Sequence, residues 1–414
     1  MTTKPSVLFV TYGGGHVSMV IPVAQRLLQE GKVSVLVLAL TTSAGAVREA
    51  GLPVLQVKDF VTASDTAAMA WGAELAAELP KSPLVDDNES FAYLGLSFAD
   101  LVEAHGLAEA RKLYAQYGRH CFLPVQMMRR ILSRVDPDLV VMTNSPRAEQ
   151  AAGLAAASLR IPALCINSLF AIDEIQWIGQ RGFCQKVCVL NNAVKNKLLK
   201  SGRKESEIAV TGNPSFDALT LPKVTEAGAR LRADLPSGSL QILLWASQAE
   251  PTAHPTAPGK IGDPALPETI LWQLLAWAEK EPGRHVLLRP HPNESLTEVV
   301  HPRATWCGSP KYDIGALLHA SDLVVTMTST VAVQAYSVGL PVVQVRGSIF
   351  DHSMPLAELG IARECYLHEL ETTITQTFYD TSPIRLAALS RPQATASVVT
   401  EILNLLFEPN SPNA

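Results

Sequence analysis

Short, uninterrupted apolar runs that alternate with segments of helical spacing constrain this chain more than any other feature. Residues 6–10, 33–38, 139–142, 163–166, 187–190 and 208–210 form one series, and residues 242–245, 285–288, 323–326 and 341–345 form a second. A strand that is apolar at every position, not at every second one, is buried on both faces. Helices must then cover both faces, and apolar residues recur at helical spacing over 17–29, 147–159 and 193–200, and again over 268–280, 315–319 and 329–337. This pattern predicts an α/β fold built on parallel sheets. A chain of 414 residues exceeds the roughly 250–300 at which a single core stops growing. The two series therefore predict two domains, over residues 1–213 and 239–393. Pro214, Pro222 and Pro236 mark residues 214–238 as a linker, and residues 394–414 as a C-terminal helix and tail. Residues 59–106, rich in Ala, Asp and Glu, interrupt the alternation as an inserted helical or mobile region. Residues 108–134 read as one long helix that Pro124 kinks or divides.

Charge and cysteine usage narrow the partners. The net charge is -5 and no block of Lys or Arg stands out, which argues against a nucleic-acid partner. The six cysteines include no Cys-x-x-Cys pair, and the one close pair, Cys184 and Cys188, lacks further ligands nearby. Buried, reduced thiols are expected, as in a cytoplasmic protein. The first apolar run is too short for a signal peptide, and no stretch approaches the roughly 20 apolar residues of a membrane span. The expected protein is cytoplasmic, with no more than peripheral contact at the inner membrane face.

Four segments carry a resemblance to the GT-B glycosyltransferase superfamily. Thr11-Tyr-Gly-Gly-Gly-His16, between a strand and a helix, is similar to the glycine-rich loop of the N-acetylglucosaminyltransferase that makes the peptidoglycan lipid precursor. Ile208-Ala-Val-Thr-Gly-Asn-Pro214, with Asp217 following, resembles the end of the N-domain in bacterial sugar-nucleotide enzymes. Arg289-Pro-His-Pro292 resembles a signature of capsule and teichoic-acid polymerising transferases. Residues 320–330, leading into Gly339-Leu-Pro341, resemble the donor-binding strand, turn and helix of the superfamily. The resemblance implies two Rossmann-like domains facing each other across a cleft, with the acceptor on the N-terminal side and the nucleotide-sugar on the C-terminal side. The UDP-N-acetylglucosamine 2-epimerases share the second and fourth segments. Their first loop reads like G-T-R-P-E and their donor turn like S-G-G-x-Q-E-E, whereas this chain has Gly13-Gly-Gly-His16 and Thr328-Ser-Thr330.

Candidate residues follow from both the chemistry and the resemblance. Gly14 and Gly15 let a ligand approach the free N–H groups at a helix start. His16, in that first turn, suits the general base of an inverting transfer, since a histidine titrates near neutrality; a structural histidine in a tight turn is the alternative. Thr328, Ser329 and Thr330 put three hydroxyls at a helix start, where one can serve as N-cap and all suit a diphosphate. Gln334 stands where related transferases carry a glutamate on the ribose. His291 suits electrostatic stabilisation of the leaving phosphate, and Arg289 either joins it or pairs within the fold. Ser247 and Gln248 line the same strand edge, and Asp351 is a candidate for the donor sugar's hydroxyls. Asp173 and Glu174 read as surface or capping residues, or as alternative bases, while Trp177, Ile178 and Phe183 read as core, with an apolar acceptor patch or membrane contact as the alternatives.

The expected function is transfer of a sugar from a nucleotide-sugar donor, UDP-linked by preference, to a glycan, lipid-linked or other glycoconjugate acceptor, with no metal or separate cofactor required. Inversion is favoured over retention, and bacterial surface polysaccharide is the context that the resemblance implies. The alternatives are an epimerase-like or hydrolysing sugar-nucleotide enzyme, and a catalytically degenerate module of the same fold.

Overall fold

The computed structural model describes residues 4–236, 238, 240–254, 259–291, 294, 298–308, 311–380 and 393–408. The chain divides into two compact units, residues 1–215 with 392–414, and residues 216–391.

The first unit is built on a seven-stranded parallel sheet. Its strands are β1 (Ser6–Thr11), β2 (Ser34–Ala39), β3 (Val54–Leu55), β4 (Leu139–Thr143), β5 (Ala163–Ile166), β6 (Lys186–Val189) and β7 (Ile208–Val210), in the spatial order 3-2-1-4-5-6-7. Helix Gly15–Glu30 lays Val20, Val23 and Leu27 on one face of the sheet, and Gly31 ends it in the left-handed conformation, φ 66°. The C-terminal helix, Ala394–Phe407, returns to this same core through Val398, Val399 and Ile402.

The second unit holds a six-stranded parallel sheet. Its strands are β8 (Gln241–Ala246), β9 (Arg284–Arg289), β10 (Ala304–Trp306), β11 (Leu323–Thr326), β12 (Val342–Val345) and β13 (Arg363–Cys365), in the order 10-9-8-11-12-13. Helix Leu266–Glu279 buries Ile270, Leu274 and Trp277 against it. Each unit thus has the doubly wound, Rossmann-like arrangement, whose switch point falls between β1 and β4 in the first and between β8 and β11 in the second.

The structure changes or sharpens four sequence readings. The segment 214–238 is not an open linker: it contains helix Pro222–Ala233, packed so tightly on helix Ile314–Ala320 that a Cβ on Gly228 would lie 2.4 Å from His319 Cβ. Proline at the first helical position, which reads as a break, is compatible with a helix start. The expected long helix over 108–134 is two helices, Leu107–Tyr117 and Val125–Val135. The first stops before Gly118, φ 55°, and Pro124 precedes the second. The inserted region forms helices Thr66–Ala77 and Asp87–His105, whose backbones touch at Gly72 and Gly95. A Cβ at either glycine would fall within about 2 Å of a carbonyl oxygen on the other helix. The short strands β3, β10 and β13 escape the apolar-run criterion because their residues are mostly half-buried or exposed.

Candidate functional site

In the first unit, the end of β1 and the end of β4 converge at the switch point. Gly14 carries φ 66° at the helix start, and a Cβ on Gly13 would lie 2.1 Å from Thr42 Oγ1. The turn therefore demands glycine, and it delivers His16 to the first turn of the helix. His16 Nδ1 lies 2.6 Å from Thr143 Oγ1. The Thr143 hydroxyl in turn donates to Glu149 Oε2. Glu149 is fully buried, and it also accepts from the backbone N–H of Tyr12 at 2.7 Å and of Ser145 at 3.2 Å.

This chain of bonds sets a tautomer. The Thr143 hydroxyl has one proton, and when it donates that proton to the Glu149 carboxylate its oxygen accepts from His16 Nδ1–H. The lone pair of His16 then sits on Nε2. Burial lowers the His16 pKa, which keeps the ring neutral, and burial raises Glu149 to about 7. Around this line the Tyr12 hydroxyl accepts from Ala148 N–H at 3.2 Å and lies 2.6 Å from the Tyr93 hydroxyl. The Arg147 guanidinium stands 5.2 Å over the Tyr12 ring, on a residue held at φ 70°.

Glu174 is half-buried, and burial raises its pKa. Asp173 is exposed. Ile178 and Phe183 are core residues, the latter closed over Gly153. Beside the glycine loop lies a cavity of about 520 Å³, bounded by Thr41 and Thr42, by the two helices of the inserted region, and by Tyr93 and Arg119.

In the second unit, the ends of β8, β9 and β11 bring another group together. The Gln248 side chain accepts from Thr328 N–H at 3.1 Å and donates to Thr328 Oγ1 at 2.5 Å, across the switch point. The Ser247 hydroxyl donates to Glu294 at 2.8 Å, and Glu294 also accepts from His291 N–H at 3.0 Å. Ser329 Oγ accepts from Val331 N–H at 3.3 Å at the start of helix Val331–Ser337, where Thr330 is exposed and Gln334 half-buried. His291 is exposed after β9; Pro292 lies outside the described residues.

Two candidates also bond within the fold. Arg289 donates through Nη1 to the carbonyls of Cys307 at 2.9 Å and Tyr312 at 3.2 Å, which ties loops to β9. Asp351 accepts from Arg346 at 3.2 Å and from Gly347 N–H at 2.9 Å, closing its own loop and not presenting that oxygen to a sugar. Sequence reasoning missed Thr143, Glu149, Tyr12, Tyr93 and Glu294. The one available signal was Glu149 itself, the lone charged residue in the alanine-rich stretch Ala148–Leu159.

Among the described residues no group of three or more His, Cys, Asp or Glu side chains is placed to hold a metal ion, and no helix is long and apolar enough to cross a membrane. The six cysteines are free.

Residues 112–349, more than half of the chain, match the family model for UDP-N-acetylglucosamine 2-epimerase. The chain belongs to the UDP-N-acetylglucosamine 2-epimerase family. The match includes Thr143, Glu149 and the turn Thr328–Thr330, and begins after the His16 loop. No curated protein sequence matches this family member. Solved structures share its fold at low identity. One is a Staphylococcus aureus MnaA–UDP complex (13% identity, 99% of this chain and 100% of that one, TM-score 0.57). A second is the Neisseria meningitidis UDP-GlcNAc 2-epimerase bound to UDP-GlcNAc (14%, 96% and 99%, 0.56). A third is the calicheamicin glycosyltransferase CalG4 (16%, 100% of both chains, 0.57). Epimerases and GT-B glycosyltransferases are thus both neighbours of this fold.

Proposed function

We propose that this family member acts on a UDP-sugar of the UDP-N-acetylglucosamine type by acid–base chemistry at the sugar, with His16 Nε2 as the proton acceptor. The observation that carries this reading is the line His16–Thr143–Glu149 at the first switch point. The family name describes inversion at a sugar carbon that bears hydrogen. Such an inversion without redox chemistry requires a proton to leave and another to return on the opposite face, so a base is obligatory. His16 is neutral and tautomerically set for that task. In this reading the nucleotide is held by the second unit through Thr328, Ser329, Thr330, Gln334 and His291, with Gln248 fixing the turn and Ser247 acting through Glu294. Gly14 and Gly15 leave room at the His16 loop. No metal or redox cofactor is required by this chemistry.

A second reading, transfer of the sugar to an acceptor, is favoured by the 520 Å³ cavity of the first unit. One experiment separates the two: incubation with UDP-GlcNAc alone, followed by NMR. Appearance of the 2-epimer or of free sugar supports the first reading. An unchanged UDP-GlcNAc signal overturns it.

A further inference from the structure

Arg147 stands beside the reactive line with its charge unanswered. Among the described residues its guanidinium has no hydrogen bond and no ion pair, and its Nε–H is shielded from water without a partner. The other arginines of the first unit that are not exposed are paired, Arg130 with Asp65 at 2.8 Å and Arg203 with Glu207 at 3.7 Å. Glu149, the carboxylate nearest in sequence, is already committed to the Thr143 hydroxyl and to the N–H groups of Tyr12 and Ser145. What holds the guanidinium is the face of the Tyr12 ring, 5.2 Å from the ring centroid.

The backbone gives this side chain added weight. Arg147 has φ 70° and ψ −114°, directly before helix Ala148–Leu159. Gly14 has nearly the same conformation, φ 66° and ψ −135°, directly before helix Gly15–Glu30. These angles lie outside the regions open to residues with a Cβ, the left-handed helical region included, and glycine is the default residue for them. A Cβ on Gly14 would meet nothing within 4 Å, so backbone preference alone favours glycine there. At position 147 the same kind of turn keeps a long cationic side chain against that preference. Strain of this sort persists where a side chain serves a site.

We propose that Arg147 binds an acidic group on the sugar, so that the preferred substrate is a UDP-sugar whose hexose carries a carboxylate. The proposal rests on the reading above, in which the second unit holds the nucleotide and the sugar reacts at His16. With the diphosphate assigned to the second unit, an anion at the first belongs to the sugar. A guanidinium meets a carboxylate with two parallel, charge-assisted hydrogen bonds. Tyr12 carries the guanidinium on its ring and bonds Glu149 through its N–H, so the anion site and the line to the base hang on one residue.

The test compares, on the whole chain, UDP-N-acetylglucosamine with UDP-N-acetylglucosaminuronic acid, which has a carboxylate in place of the C6 hydroxymethyl group. The acid is expected to bind at least about tenfold more tightly by calorimetry, and to show at least about a tenfold higher kcat/KM, as hydrogen bonds to a charged group give. In Arg147→Gly that discrimination is expected to vanish, and in Arg147→Lys to return in part. Thermal unfolding tests a purely structural role. Arg147→Gly relieves the backbone, so it is expected to unfold at the wild-type temperature or above it. A lower unfolding temperature would assign the arginine to the fold and overturn the proposal. Equal affinity of the wild type for the two sugars also overturns it, as does discrimination that survives in Arg147→Gly. Epimerisation of both sugars at equal rates with equal affinity leaves the proposed function standing and removes the acidic-sugar preference. Tighter binding of the acid that is lost in Arg147→Gly, with no epimer from either sugar, does the reverse.

Discussion

The two units place a polar cluster at the same topological position and equip it differently. In the first, the bond across the switch point ends on a fully buried carboxylate, Glu149, and begins on a half-buried imidazole, His16. In the second, the bond across the switch point joins a neutral amide and a hydroxyl, Gln248 and Thr328. A buried acid joined to a histidine ring through a hydroxyl can store and direct a proton. A neutral amide cannot, but it can fix the shape of a turn for a ligand that carries its own charge. The proposed division, chemistry in the first unit and binding in the second, rests on this difference.

The largest expected effect breaks that division most directly. His16→Ala is expected to lower turnover at least roughly a hundredfold and to leave UDP affinity by calorimetry unchanged. A loss of affinity as large as the loss of turnover would show that the first unit binds and does not react.

Glu149→Gln comes next, at roughly ten- to a hundredfold in turnover, although His16 is untouched. The glutamine amide donates to Thr143, whose hydroxyl then donates to His16 Nδ1, and the ring proton moves to Nε2. Nitrogen chemical shifts of His16 report that exchange directly, and an unaltered tautomer would remove Glu149 from the mechanism. The pH profile sharpens the same point. Glu149 is a carboxylate above about 7. As pH falls through that value it takes up a proton, the hydrogen bonds reverse and the base is lost. Wild-type turnover is therefore expected to fall below about pH 7. In Glu149→Gln that limb is expected to vanish, leaving a low, flat rate.

Smaller effects are expected in the second unit. Gln248→Ala removes a bond worth about 1 kcal/mol, so UDP affinity should weaken by about fivefold to tenfold with turnover at saturation unchanged. His291→Ala should weaken UDP binding by a few-fold. Equal calorimetric affinity would remove His291 from the site, and a larger effect on turnover than on affinity would blur the division between the units.

Much of this was legible before the fold was known. Strands that must be buried on both faces, and a glycine loop between β1 and its helix, are local patterns, and they led to the two α/β units and to His16. Ser247, Gln248 and Thr328–Thr330 were legible too, because each directly follows an apolar run that has to be a strand. Arg289 and Asp351 also bond within the fold, to Cys307, Tyr312, Arg346 and Gly347, which their residue types alone do not reveal. The helix at Pro222–Ala233 was hidden because proline marks both breaks and helix starts.

The sequence by itself determined the periodicities, the sheet-edge loops and the histidine that a glycine turn exposes, since these depend on residues a few positions apart. Only the tertiary structure decided what His16 is bonded to. Thr143 lies 127 positions away, and Glu149 reaches Tyr12 across 137. Parallel pairing of β1 with β4 brings these residues together, and no spacing along the chain records it. The cavity has the same origin. Two inserted helices that meet glycine to glycine form part of its wall. That close approach depends on side chains that are absent, which a residue pattern does not display.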